Sequence, residues 1–361
     1  ELLLSDNFVQ LVEKGKSQEN LNDYEKGVVR VLDREISILK KIPPSLVYEM
    51  SKTSEEAFQA WRVAKEKNDF SIFSPYLEKI IKLNIEKAER LGYENEPYDA
   101  LLDLFEEGLR TKDVVGIFDS LKSNLKGLLD KVTSEKYYYF DSPLEEIKYE
   151  REKMEKVNNE VLNMLNYPWD RARLDVSPHP FTQSMGVNDV RITTRYEGYD
   201  FKRSLFSVIH EFGHATYELQ IDENMKMTPI GGGVSLGIHE SQSRFWENII
   251  GRSYQFTQVI KPILDKHLDF TKRYTPEDLY RYFAMVKPSL IRTEADELTY
   301  NFHILLRFEM ERLMLRGEVK VNDLPEIWNQ YMEELLGIKP KTYSEGILQD
   351  VHWSHGDLGY F

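Results

Sequence analysis

Residues 201–219 read FKRSLFSVIHEFGHATYEL, with apolar side chains at Leu205, Val208, Ile209, Phe212, Ala215 and Leu219. Those positions follow the 3.6-residue period of an amphipathic helix, and Asp200 just ahead offers an N-cap side chain. Within the helix stands His210-Glu211-Phe212-Gly213-His214. Side chains four apart leave a helix on one face, so the two imidazoles reach a single ion at ~2.0–2.1 Å. Glu211 projects about 100° away from His210, beside such an ion without pointing at it, where a general base acting on water belongs. The plainer alternative is a helix carrying two polar residues on a wetted face.

A catalytic ion needs a third protein ligand and one open position. No third histidine follows at short spacing, because Leu219 and Gln220 occupy that stretch. Downstream lies His239-Glu240-Ser241-Gln242-Ser243-Arg244-Phe245-Trp246-Glu247, on a helix expected over Ile238–Gln255. Glu240 supplies a carboxylate oxygen from a second helix packed on the first; its competing use is an i,i+4 pair with Arg244. A shift of one residue turns His239 to another side of that helix. Between the two helices, Gly231-Gly232-Gly233 lacks the Lys-Ser/Thr pair of a phosphate loop. It either lets backbone approach a substrate or serves as a flexible connection.

Upstream, amphipathic patterning covers Leu21–Lys41, Pro44–Lys67, Tyr76–Leu91, Tyr98–Leu109, Val114–Val132 and Pro143–Leu165, punctuated by Pro43-Pro44 and Gly92. The texture changes at about Tyr167. Asp175–Gln183 and Asp189–Glu197 are short and β-branched, and Asp189 to Tyr196 alternates with the period of a half-exposed strand. The expected architecture is mainly α with a small β-sheet ahead of the metal helix. It is organised as a single domain over 1–361, with a helical lobe (1–166) and a metal-site region (167–361). None of the 361 residues is Cys, which excludes disulfides, thiolate nucleophiles and Cys-based metal sites and suits a reducing cytoplasm. A net charge of −14 without basic clusters argues against nucleic acid. No run approaches the ~20 apolar residues that span a bilayer, and no basic-then-apolar leader opens the sequence. A Lys/Glu-rich, cysteine-free composition suits a thermostable protein.

The segments His210–His214 and His239-Glu240-Ser241-Gln242 resemble the M32 carboxypeptidases. Four further signatures agree in order and spacing: His179-Pro180-Phe181, Asp189-x-Arg191-x-Thr193, Ile291-Arg292-x-x-Ala295-Asp296, and Gly346-x-x-Gln349-Asp350-x-His352-Trp353. The resemblance spans nearly the whole chain. It implies a two-lobed helical zincin fold with a deep active-site groove, similar to neurolysin and angiotensin-converting enzymes. It also implies a cytoplasmic homodimer that removes single residues from peptide C-termini with broad side-chain tolerance. The expected ion is Zn2+, with Co2+ served by the same ligands. Family members generally continue beyond both ends of this chain, so part of the groove wall and dimer surface is expected to be absent.

On this reading His210, His214 and Glu240 hold the ion, which lowers the pKa of its water to ~7. Glu211 takes the water's proton and delivers it to the leaving amine. Arg292 is expected to grip a free C-terminal carboxylate through its planar fork, against the alternative of an intrahelical pair with Asp296. Asp296 or Glu294 alternatively orients a zinc-bound histidine. By resemblance the strand of Asp189, Arg191 and Thr193 lines the cleft; Arg191 and Thr193 otherwise form cross-strand pairs. His179, between Pro178 and Pro180, either contacts substrate or packs. In the related folds a His/Tyr pair near the chain end stabilises the oxyanion and positions substrate, which points to His352 and Tyr360. Trp353 reads as packing, and His267 and His303 as ordinary structural histidines. The nearest competing function is an oligoendopeptidase or dipeptidase on the same scaffold. A different class is a metal-free helical scaffold that binds peptides.

Overall fold

The computed structural model describes residues 2–360; Glu1 and Phe361, the ends of the expected span, lie outside the described residues. The protein is mainly helical, with one three-stranded sheet. The helices are α1 (Asp6–Lys16), α2 (Asp23–Lys41), α3 (Pro44–Lys67), α4 (Ser74–Leu91), α5 (Pro97–Leu102), α6 (Thr111–Glu135) and α7 (Arg151–Met164). After strands β1 (Ala172–Val176), β2 (Thr182–Gly186) and β3 (Asp189–Thr194) come α8 (Lys202–Leu219), α9 (Leu236–Arg244) and α10 (Tyr254–His267). The chain continues through α11 (Pro276–Phe283), α12 (Tyr300–Leu315) and α13 (Leu324–Leu336). Among the described residues no helix is long and apolar enough to cross a membrane. Two compact units form. One comprises residues up to Ser17, Leu32–Ser134 and residues from Val286 on; the other comprises Gln18–Val31 and Glu135–Met285. The change of texture at Tyr167 marks the approach to the sheet, while the units divide the chain elsewhere.

The first unit is built around α12, whose Phe302, Leu306, Phe308 and Met310 are buried together with His303, Arg307 and Glu311. A helix wet on no side must be wrapped by others. Here α4, α5 and α13 pack on it, and Tyr98 and Phe118 meet Phe308 edge-on at 5.2 and 5.0 Å.

The second unit is centred on α8. Val208, Phe212 and Ala215 cluster with Val190 and Ile192 of β3, while Phe206 and Ile209 cluster with Ile260 of α10 and Phe283 of α11. β3 is the middle strand. It runs parallel to β1, with Ala172 opposite Val190, and antiparallel to β2, with Thr182 opposite Ile192 and a bulge between Ser184 and Gly186. That order leaves β2 at an edge of the sheet, alongside α8.

Pro44–Lys67 forms a helix with the expected bounds. The helices expected over Leu21–Lys41, Tyr76–Leu91 and Val114–Val132 also form, as Asp23–Lys41, Ser74–Leu91 and Thr111–Glu135. At several other places local chemistry overrides the pattern. The segment expected as one strand over Asp175–Gln183 is the end of β1, a Pro-interrupted turn and the start of β2. The helix expected from Tyr98 ends at Leu102, where the Asp103 side chain accepts from the Gly108 amide at 2.9 Å and closes a turn. In Pro143–Leu165 the first residues form a short 3-10 turn with a Ser142/Glu145 capping box; Tyr149 then donates its amide to Gly198 O before α7 begins. Asp200 is not the N-cap of α8: that position is Phe201, without a side-chain cap. Asp200, at φ +49°, accepts instead from Arg203 Nε at 3.0 Å and from the Tyr282 hydroxyl. Finally, the helix expected over Ile238–Gln255 is α9 followed by a π-helical stretch, Phe245–Gly251, and a break before α10.

Candidate metal centre

His210 and His214 leave the same face of α8, and α9 brings Glu240 to them. Glu240 Oε2 lies 3.6 Å from His210 Nε2 and 3.3 Å from His214 Nε2. Three ligand atoms bonded tetrahedrally to one ion at ~2.0–2.2 Å stand about 3.3–3.6 Å apart, so these edges match. Among the described residues, this is the group of three or more metal-ligating side chains whose donor atoms converge, all within 4.8 Å.

The close approach of the two helices depends on Gly213. A Cβ there would lie 2.5 Å from both Gln242 O and Ser243 Cα, so the inner face of α9 rests directly on this residue. Glu240 is held in place by its own helix: Ser243 Oγ donates to Oε2 at 2.9 Å and Arg244 Nε to Oε1 at 3.0 Å. The Glu240–Arg244 pair weighed as the alternative to metal ligation therefore exists, yet it uses Oε1 while Oε2 faces the imidazoles.

His210 has a fixed tautomer. Its Nδ1 lies 2.8 Å from Glu247 Oε2, an atom that only accepts, so Nδ1 carries the proton and Nε2 offers its lone pair towards Glu240. Glu247 is buried and receives Arg252 Nη2 at 2.9 Å and Arg244 Nη1 at 3.4 Å. Burial opposes the charge of Glu247, but His210, Arg252 and Arg244 outweigh it and hold the carboxyl well below the usual range. Glu240 follows the same balance, with burial overcome by His214, His210 and Arg244. The donor set, two imidazole nitrogens and one ionised carboxylate, fits a divalent ion.

Glu211 is 5% exposed, and its Oε2 accepts a 2.6 Å hydrogen bond from Thr182 Oγ1 on edge strand β2. On the same sheet, Arg191 forms a two-pronged ion pair with Asp189 at 2.9 and 2.8 Å, with both side chains about half exposed. Thr193 is buried; its hydroxyl accepts from the Phe181 amide at 2.9 Å and meets Ser177 Oγ at 2.6 Å. It thereby secures the 177–181 loop that presents His179, an exposed side chain whose Nδ1 faces Pro180 O at 2.9 Å. Thr182, Glu218 and Glu247 were not among the expected site residues. Glu218 and Glu247 were legible as carboxylates four residues after His214 and seven after Glu240.

Arg292, His352 and Tyr360 belong to the first unit, where Asp350 is the hub. Asp350 Oδ2 accepts from Arg292 Nε and from Arg307 Nη2, each at 2.7 Å, and Oδ1 meets His352 Nδ1. Burial works to raise this carboxyl, but Arg307, His352 and Arg292 hold it far below normal. Arg292 also donates from Nη1 to the Tyr300 hydroxyl at 3.1 Å. Its partner is thus Asp350 rather than Asp296, which instead accepts the Leu298 and Thr299 amides ahead of α12. His352 stacks on Tyr360 with ring centres 5.2 Å apart. His267 pairs with Glu160, and His303 is buried on α12. Trp353 packs edge-on against Trp328 and donates to Glu311 Oε1 at 2.8 Å.

Glu311, fully buried, also accepts the Gly359 amide, and burial pushes its carboxyl up to about 8. A raised folded pKa means that the folded state keeps a proton the unfolded chain has released. Its stabilising share is complete below the unfolded value of ~4.3 and is lost as pH rises through about 8. Wild type should therefore lose stability relative to Glu311→Gln between about pH 4 and 8, read from denaturation midpoints. Parallel curves would contradict this.

The whole chain, residues 1–361, matches the family model for carboxypeptidase Taq (M32) metallopeptidases. The chain belongs to the M32 metallopeptidase family. Thermostable carboxypeptidase 1 of Pyrococcus furiosus is 62% identical over 362 residues, covering 100% of this chain and 72% of that protein. Carboxypeptidase 1 of Bacillus subtilis is 43% identical over 344 residues, covering 95% and 68%. Among solved structures, the Pyrococcus furiosus carboxypeptidase in an apo-Mg form superposes with a TM-score of 0.97 at 61% identity, over 100% of this chain and 73% of that one. The M32 carboxypeptidase of Deinococcus radiodurans gives 0.94 at 35% identity, over 99% and 73%. The protein is an M32 metallocarboxypeptidase, a peptide hydrolase dependent on a divalent metal.

Proposed function

We propose that this M32 enzyme trims residues one at a time from the free C-terminus of peptides with broad side-chain tolerance, with zinc as its ion. The observation that carries the reading is the convergence of His210 Nε2, His214 Nε2 and Glu240 Oε2 beside a buried, hydrogen-bonded Glu211. The bound ion supplies Lewis acidity at the scissile carbonyl and acidifies water. Glu211, steadied by Thr182, accepts a proton from the attacking water and passes it to the leaving amine. Arg292 binds the substrate's terminal carboxylate, its guanidinium plane fixed by Asp350 and Tyr300. His352 and Tyr360 stabilise the oxyanion, Arg191 and His179 contact the peptide, and the buried Thr193 serves the substrate site by securing the loop that carries His179. Co2+ suits the same N/O donors. A cytoplasmic, thermostable homodimer completes the reading, in keeping with the cysteine-free composition and the names of its relatives.

The test is product analysis on a long peptide with and without a chelator. Sequential release of single C-terminal residues, abolished by chelation, is expected; internal fragments would place the enzyme among oligoendopeptidases. Arg292→Ala should slow cleavage of free-acid peptides by about 10²-fold, in line with the loss of a charge-assisted bidentate contact of ~2–3 kcal/mol. It should leave amidated peptides little changed. Equal loss on both would exclude the carboxylate role.

A further inference from the structure

His239 and Gly233, the last residue of the glycine triplet, have no part in the proposed reaction, yet they meet beside Glu218 behind His214. His214 Nδ1 lies 2.7 Å from His239 Nδ1, and His239 Nε2 lies 2.9 Å from Glu218 Oε1. The Gly233 amide donates to the same Glu218 oxygen at 3.0 Å. Glu218 is 6% exposed, and Tyr217 packs edge-on against the His239 ring at 5.0 Å.

The direction of the protons follows from what each atom can do. The Glu218 carboxylate only accepts, so His239 Nε2 is the donor to it. A neutral imidazole then offers a lone pair at Nδ1, which His214 Nδ1–H fills. That leaves the lone pair of His214 on Nε2, the atom 3.3 Å from Glu240 Oε2. Gly233 seals the arrangement. A Cβ there would lie 2.8 Å from Glu218 Oε1, 2.9 Å from His239 Cδ2 and 2.9 Å from Tyr217 Cε1, so the backbone itself abuts the relay. His210 and His214 are consequently oriented by different devices: a direct carboxylate for the first, an interposed imidazole for the second.

We propose that His239 and Glu218, closed off by the Gly233 backbone, form a positioning relay. It fixes the tautomer and ring orientation of His214 and so sets the affinity of the centre for its divalent ion. The inference rests on the metal-site reading above. Outer groups that orient metal-bound histidines typically contribute 10–100-fold in affinity.

The experiment titrates metal-free protein with Co2+ against a chromophoric chelator, recording Kd, the visible cobalt spectrum and the unfolding midpoint of the metal-free form. His239→Phe keeps a ring against Tyr217 but removes both hydrogen bonds; Glu218→Gln is nearly isosteric and guards against a folding failure in the first variant. Each should weaken Co2+ binding, His239→Phe by ~10–100-fold with an altered spectrum. The double variant should be no weaker than His239→Phe alone, because both residues act through one chain of bonds. Wild-type Kd and spectrum in both variants would overturn the relay, as would a change confined to the unfolding midpoint. Wild type that binds no stoichiometric Co2+ would overturn the metal-site reading as well, so the two failures are distinguishable.

Discussion

Glu211→Gln should retain the metal at one ion per chain and lose about 10²–10⁴-fold in kcat, the range associated with removing a positioned general base. Glutamine has the shape of glutamate, and its amide oxygen still accepts the 2.6 Å hydrogen bond from Thr182. The donor atoms that converge at the candidate metal site belong to His210, His214 and Glu240, so the substitution leaves them in place. What disappears is a basic lone pair able to take a proton from water. The measurement is kcat on a single peptide alongside metal content of the same sample. Activity within a few-fold of wild type removes Glu211 as the base, and loss of metal makes it a ligand.

Gly213→Ala should disable the centre without touching a functional side chain. On intrinsic grounds the change favours α8, since alanine is better in a helix by about 1 kcal/mol. Packing decides the other way. The added methyl lies 2.5 Å from two backbone atoms of α9, and backbone cannot swing aside as a flexible side chain does. Overpacking of this kind costs about 1–3 kcal/mol, and relief comes through movement of the helix that carries Glu240. Separation of Glu240 from the two imidazoles by even ~1 Å breaks a geometry with tolerances of about 0.2 Å. Metal affinity should fall by more than 100-fold while the far-ultraviolet circular dichroism keeps its helical form. A variant that binds metal with wild-type affinity would show that α9 does not rest on Gly213.

Much of this centre is written in local periodicity. His210, Glu211 and His214 are readable because a helix converts spacing into direction. Glu240 is readable because a catalytic ion needs a further ligand. Glu218 extends the same rule, at i, i+4 and i+8 with His210 and His214, and Glu247 stands two turns beyond Glu240. Thr182 has no such signal. Its meeting with Glu211 depends on the β2 register and the packing of the sheet on α8, which no local pattern encodes. Asp350 likewise gathers Arg292 and Arg307 from two distant segments. The same limit operates on the fold. Pro44–Lys67 opens on a proline at its first turn and closes at a left-handed Asn68, and those punctuation marks make its bounds legible. Asp175–Gln183 is too short for its pattern to reveal a turn inside it, and the π-helical Phe245–Gly251 has the composition of ordinary helix.

His210, His214 and Glu240 are proposed to hold one divalent ion together. Crystals of the zinc-loaded protein, with diffraction recorded on both sides of the zinc absorption edge, test it most directly. A single anomalous peak is expected within ~2.0–2.2 Å of His210 Nε2, His214 Nε2 and a Glu240 oxygen. A strong peak seated on other side chains, or a fully loaded protein with Glu240 turned away from the ion, would contradict it.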